Sequence, residues 1–434
     1  MQNYKSSIKV PNVLLFFDNN VYLCTVKKGG FLFCSIFVWL CLLCFVQIAK
    51  AQEDNRINAK LDSIDISLLT CGPGNESYSY YGHTGIRIHD KWDMRDMAVN
   101  YGLFSFEQDN FVLRFIFGLT DYQMGMMSFE DFKREYEMEG RWVKEQLLNL
   151  TPEEKETIVL AIIENSMPEN AVYRYNFLYD NCTTRARDIL VNHLSGQVKY
   201  KEKNRGELTY RDLIRACTAD YPWTRFGNDL LLGVKADAKT TQAQQQFLPE
   251  YLFADFSDAV VVDKDGKTRN LVVEERQLLN GRDIEKKTLI TPMMCMIALA
   301  LLVLLITIVE WLKKANYRWF DVCMFTVLGL AGIILTAMIF SQHPTVSLNF
   351  QIFLLNPLGL VGLVGLVGKV GVVGKRRGMA TTIYMVAVMF ILLFLLGGIW
   401  QTYAEGLVFL ALSLLIRYSL KWKMSKDKVT LLRS

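Results

Sequence analysis

Residues 175–190 read YNFLYDNCTTRARDIL, and the soluble part of the chain is best understood outward from them. Asp180 and Asn181 are both good N-cap types, so a helix opens at Cys182 and runs to about Leu194. Ala186, Ile189 and Leu190 continue its apolar face, which brings Cys182 out at a cleft rather than on bare surface. In a first turn, unpaired N–H groups and the helix dipole favour a thiolate, and the same N–H groups can hold an oxyanion. A thiol with only a helix behind it is a poor catalyst. It needs a base within reach and a third group to orient that base.

The whole chain has four histidines, His83, His89, His193 and His343. His83 lies where a loop enters the run TGIRIH at 84–89, one of three β-like runs with IDISLLT at 64–70 and MAVNYGL at 97–103. The last two of these in chain order form a hairpin around Asp90–Arg95. If Ile88 pairs with Met97, His83 stands opposite Gly102 and shares a face with Asn100; a one-residue slip would separate them. His83 is thus the candidate base and Asn100 the candidate orienter, with Glu76 in the preceding loop as the alternative. Asn176 can donate a side-chain N–H to an oxyanion, and Asn181, Tyr175, Tyr179 and Arg185 are pocket candidates. The plainer reading makes His83 structural, pairs Cys71 with Cys217 in a disulfide and leaves Cys182 as filler. His343, beside Pro344, either approaches the site or sits in an interfacial loop. Further helices are expected near Ser128, with Asp131 at the third position, and at Thr151-Pro152-Glu153-Glu154.

Composition sets the frame for this domain. The 434 residues are 51% hydrophobic and 21% charged, too apolar for a wholly soluble chain and too charged for membrane helices alone. The net charge of +4 divides unevenly: residues 1–51 hold five Lys/Arg and one Asp, 52–287 hold 30 against 39 acids, and 288–434 hold 13 against 4. The only strongly basic section is also the greasy one, so nucleic-acid binding is not expected. Lys27 and Lys28 precede the apolar run at 31–46, and Ala49-Lys50-Ala51 follows, the pattern of a signal peptide or an uncleaved anchor. Residues 52–287 are then exported. Apolar runs at 289–312, 319–340, 350–368, 379–400 and 403–420 give five expected spans, the third interrupted by Gln351, Asn356 and Pro357. Lys/Arg residues fall between spans one and two, between three and four, and after five, whereas 341–349 and 401–402 carry none. With the domain outside, every basic loop and the C-terminus face the cytoplasm. No HExxH or CxxC pattern suggests a metal site.

The strand GHTGIRI, a polar strand after it, and a cysteine at a helix start resemble the circularly permuted papain-like (NlpC-like) hydrolases, in which histidine precedes cysteine. More closely, ISLLTCGPGNESYSYYGHTGIRIHD at 66–90, NYGLFSF at 100–106, YDNCTTRARDIL, WTRFGNDLLLGVKAD at 223–237 and FLPEYL at 247–252 are similar to one family. It is the Lnb-type lipoprotein N-acylation family of Bacteroides relatives; the SQHP loop and the Asn356-Pro357 pair extend the likeness into the apolar part. The resemblance implies an α+β permuted papain-like domain in the periplasm followed by an all-α domain of about five transmembrane helices in a bacterial inner membrane. It implies transfer of a fatty acyl chain from a membrane phospholipid to the α-amine of a diacylglyceryl-cysteine lipoprotein, without a cofactor. By motif position it implies Cys182 as nucleophile and His83 as base; it does not assign the orienting residue. The competing classes are a membrane-anchored cell-wall amidase or peptidase, a phospholipase, and an inactive lipoprotein-binding scaffold.

Overall fold

The computed structural model describes residues 55–104, 117–282, 288–367 and 373–430, with scattered positions among 39–53 and 110–114. The leader expected at 1–51, the end of the NYGLFSF strand and the glycine repeat at 368–372 lie outside the described residues, apart from those scattered positions.

Seven antiparallel strands form the main sheet of the exported domain: β1 (Ile64–Cys71), β2 (His83–Asp90), β3 (Arg95–Leu103), β4 (Asp121–Ser128), β5 (Val143–Leu148), β6 (Val172–Arg174) and β10 (Val272–Leu279), in the spatial order β10-β5-β1-β2-β3-β4-β6. The near-continuous burial of β1 reflects its place inside the sheet, with both faces covered. A small second sheet joins β7 (Gln197–Lys199), β8 (Val260–Val262) and β9 (Thr268–Asn270). Helix α1 (Phe129–Glu139) opens at Ser128, whose hydroxyl accepts the Asp131 N–H, and lays Phe129, Phe132 and Tyr136 on one sheet face. Helix α2 (Pro152–Ser166) begins with the capping box expected at Thr151 and Glu154. With α3 (Cys182–Asn192) it covers the opposite face around Ile66, Leu68, Ile86 and Val99.

Helices α4 (Tyr210–Cys217), α5 (Pro222–Leu231) and α6 (Pro249–Ser257) complete the domain. The C-terminal end of α5 carries the joint to the apolar part of the chain. Its last carbonyls have no intrahelical partner, and side-chain amides from beyond residue 340 supply the donors. Gln351 Nε2 donates to Asp229 O at 2.8 Å, Asn349 Nδ2 to Leu230 O at 2.7 Å and Gln401 Nε2 to Leu232 O at 3.0 Å. The backbone adds Gly233 N–H to Thr345 O and Val234 N–H to Leu348 O, both 2.8 Å. Only glycine fits at 233, where a Cβ would stand 2.0 Å from Leu348 O.

The C-terminal part holds α7 (Pro292–Lys313), α8 (Arg318–Ile339), α9 (Leu358–Val367), α10 (Val373–Gly397) and α11 (Leu407–Thr430). Pro292–Lys313, Arg318–Ile339 and Met379–Gly397 are long and apolar enough to cross a membrane, with mean hydropathies of 2.8, 2.4 and 2.5. The third expected span is a 3-10 turn at Phe350–Phe353, a break at Asn356-Pro357 and then α9. Lys375, Arg376 and Arg377, expected in a loop, lie inside α10. The fifth expected span, α11, buries Arg417 and Lys421 against Glu310 and Asp321.

Candidate functional site

Asn181 sets the entry to α3. Its Oδ1 accepts the N–H groups of Thr183 and Thr184, both at 2.9 Å, while the Thr184 hydroxyl accepts the Asn181 N–H. Its Nδ2 donates to Phe177 O and Phe247 O at 2.8 and 2.9 Å. All four side-chain interactions are structural, so Asn181 builds the helix start and its side chain is not free to bind substrate. They also consume two of the N–H groups expected to serve an oxyanion. Among the described hydrogen bonds, the Cys182 N–H has no partner and is the donor left over.

Cys182, half-buried, is the first residue of α3 and packs on the sheet core. Burial pushes its thiol up, but the charge and hydrogen bonding of His83, the Thr84 N–H and the Thr183 hydroxyl outweigh it and bring the thiol from 9.0 down to about 7. The sulfur contact that meets ordinary hydrogen-bond geometry is to Thr183 Oγ1, at 3.8 Å. Thr183 Oγ1 is in turn 3.0 Å from Thr84 Oγ1, which ties the helix start to the strand bearing the histidine.

The β2–β3 register pairs Ile88 with Met97 and Gly85 with Asn100. Extended by two residues, it sets His83 opposite Gly102. A Cβ at Gly102 would lie 2.8 Å from His83 Cε1, 3.4 Å from His83 Nδ1 and 3.3 Å from Asn100 Oδ1. His83 and Asn100 are therefore neighbours on one face, yet Asn100 Oδ1 accepts the Gly102 N–H at 2.8 Å and no Asn100–His83 bond is formed. His83 Nε2 is buried and unpaired.

The other expected residues fall differently. Glu76 is exposed in its loop, and its carboxylate makes no ion pair among the described residues. Asn176 spends its Oδ1 on the N–H groups of Leu178 and Tyr179 in a turn closed by Asp180. Tyr179 is exposed and edge-on to Tyr210. Arg185 is bound by both oxygens of Asp180, at 2.6 and 2.8 Å, and lies 3.6 Å over the Tyr173 ring. His193 caps the end of α3 through Ile189 O, and His89 sits at the far end of β2. The loop of His343 abuts the segment before β4, where Gln342 N–H meets Phe117 O at 2.9 Å.

Of an aromatic wall beside the site, sequence reading singles out Tyr175 alone. Tyr122 stacks on Tyr175 at 4.0 Å and on Phe104 at 5.0 Å, with Tyr173 edge-on at 6.4 Å. Burial raises the phenols of Tyr122, Tyr173 and Tyr175, and the nearby Cys182 thiolate raises them further. The one local signal is the period of two in Tyr173-Arg174-Tyr175. Cys71 and Cys217 are free thiols, so the disulfide considered above is not present. Cys71 lies opposite His83 in β1, and burial pushes both thiols up to about 12. Cys182 is thus the acidic thiol of the three. Among the described residues no cluster of three metal-ligating side chains occurs.

Two family profiles match the chain: the Lnb N-terminal periplasmic domain over residues 51–216 and the Lnb transmembrane domain over residues 284–428. No curated protein and no solved structure gave a significant match.

Proposed function

The chain belongs to the Lnb family, as a membrane protein with a periplasmic N-terminal domain, and from that premise we propose that it is a lipoprotein N-acyltransferase working through Cys182. One observation carries the reading: an acidified thiol at a helix start beside His83, in a domain fastened to the membrane part by the amides at the end of α5. A histidine that precedes the cysteine, on a strand packed under the cysteine helix, favours a permuted papain-like core. Five spans with the C-terminus in the cytoplasm follow from where Lys and Arg fall along the sequence.

The chemistry runs in two halves. His83 takes the Cys182 proton, and the thiolate attacks an ester carbonyl carbon of a membrane phospholipid. The tetrahedral intermediate collapses with cleavage of the ester C–O bond. Imidazolium returns the proton to the leaving oxygen, so a lysophospholipid departs and a thioester remains. The α-amine of the diacylglyceryl-cysteine lipoprotein then attacks the thioester carbonyl. His83 removes a proton from the amine, the C–S bond breaks, and an amide and free enzyme result. The Cys182 N–H is the donor available to the oxyanion. The aromatic wall keeps water from the thioester, which favours the amine over hydrolysis.

Incubation with acyl-labelled phospholipid should place hydroxylamine-sensitive label on Cys182, and added diacylated lipopeptide should remove it as an amide. Label released only as free fatty acid would mark a phospholipase. Lipoprotein N-acylation that survives Cys182→Ala in cells would overturn the proposal.

A further inference from the structure

About 27 Å along α7 from Pro292, at 1.5 Å per residue, a second polar site opens at the helix ends remote from the exported domain. Four ionised side chains meet there. Arg417 is fully buried, donating from Nε to Asp321 Oδ1 at 2.6 Å and from Nη1 to Glu310 Oε2 at 2.9 Å and Thr307 Oγ1 at 3.2 Å. Lys421 Nζ meets Glu310 Oε1 at 2.9 Å, Asp321 Oδ2 at 3.2 Å and Asn316 Oδ1 at 2.7 Å. The Tyr384 hydroxyl donates to Asp321 Oδ2 at 3.0 Å, and Glu310 Oε1 also accepts the Tyr317 N–H.

Every carboxylate oxygen of this cluster therefore already accepts, and one cationic donor remains. Arg417 Nη2 is buried with no partner. Leaving such a donor unpaired forfeits its hydration with nothing in return, whereas apolar packing alone would serve helix association without it. The cluster opens into a pocket of about 140 Å³ walled by Arg417, Lys421, Glu310, Asn316 and Arg318 on its polar side and by Trp311 and Leu420 on its apolar side. Arg318 is exposed and forms no ion pair among the described residues. A surplus buried guanidinium N–H with a free guanidinium at the mouth calls for an acceptor that carries negative charge and several oxygens.

We infer that this pocket binds a phosphate group, held by Arg417 Nη2 and Arg318. The phosphate is either that of an anionic lipid headgroup in the adjoining leaflet or a soluble phosphate. Ionisable groups at membrane depth are rare and face a partner or a cavity; here both are present and one donor exceeds the partners.

The test uses the full chain, purified in detergent and stripped of lipid. Thermal unfolding and native mass spectrometry are followed with phosphatidylglycerol, with inorganic phosphate and with diacylglycerol, which shares the tails but has no phosphate. Arg318→Gln removes the exposed donor. Asn316→Asp places a carboxylate on the wall, still able to accept from Lys421. Both are surface positions, and each variant's unliganded melting temperature checks its folding. The expected result is a concentration-dependent rise in melting temperature with phosphatidylglycerol or phosphate, and roughly tenfold weaker binding in both variants. A rise with the lipid alone identifies a headgroup, and a rise with inorganic phosphate identifies a soluble anion. Equal effects of diacylglycerol and phosphatidylglycerol, no phosphate-dependent effect, or unchanged affinity in both variants would overturn the inference.

Discussion

The imidazole of His83 lies across Gly102 so closely that a Cβ at that position would stand 2.8 Å from Cε1. The missing side chain is what lets the ring occupy its place between two strands. Gly102→Ala should therefore displace the ring and leave the fold intact, because Gly102 is at the open end of β3 and its N–H bond to Asn100 survives. A displacement of this size costs on the order of a hundredfold in rate. Thioester formation on Cys182, measured beside a thermal melt, checks it: a fall in the melting temperature matching the loss of activity would make the effect structural.

The thiol of Cys182 titrates near 7 because His83 and two hydrogen-bond donors outweigh burial. Its charged form is the anion, so a lowered value means reactivity that falls as pH drops through about 7 and levels off above it. With His83→Ala the largest lowering influence goes, which moves the midpoint up toward the ordinary 9.0. Iodoacetamide alkylation at Cys182, followed by peptide mass spectrometry, should show this midpoint and a roughly fiftyfold slower reaction at neutral pH in the variant. Cys71 and Cys217, both raised to about 12, should stay unmodified in the same samples.

Asn181 joins four backbone groups at the entry to α3, two through Oδ1 and two through Nδ2. Asn181→Ala removes the cap, worth about 1 kcal/mol, and strands the Phe177 and Phe247 carbonyls at a further ~1–3 kcal/mol. The melting temperature should fall along with activity. Asn176→Ala, at a half-buried turn, should lower neither by more than a small amount if Asn176 only closes that turn. A large loss of activity at unchanged stability would give Asn176 the oxyanion role expected from sequence.

What the sequence reveals here is what is local. The cap at Asn181 and the capping box at Thr151 involve residues three apart, and the β2–β3 register follows from a short hairpin. The aromatic wall as a whole is not legible, because Tyr122 meets Tyr173 only through pairing of β4 with β6 across some fifty residues. Nor is the role of Gln351. Read along the chain, it interrupts an apolar run; in the fold, it accepts the Ala404 N–H at 3.0 Å and donates to Asp229 O. A polar residue in an apolar stretch signals a partner without naming it.

Asp229 has the most to lose at that joint. Its carboxylate, buried at the end of α5, takes Arg211 Nη1 at 3.0 Å and Arg215 Nε at 2.9 Å, and Arg211 is itself almost wholly buried. Arg215 also reaches Tyr403 O at 3.2 Å, so the pair braces both sides of the domain junction. Breaking a buried pair by removing one partner leaves the other charge uncompensated, at about 3–5 kcal/mol. Asp237 still holds Arg211 through Nε at 2.9 Å and Nη2 at 3.0 Å, which sets the lower end of that range for Asp229→Ala. Arg225 and Glu405 cross the same junction at 3.4 Å, but both side chains reach solvent, so Arg225→Ala should cost less than about 1 kcal/mol. Thermal unfolding of the two variants in the same detergent compares them directly. Similar shifts would mean that burial is not what makes this junction rigid.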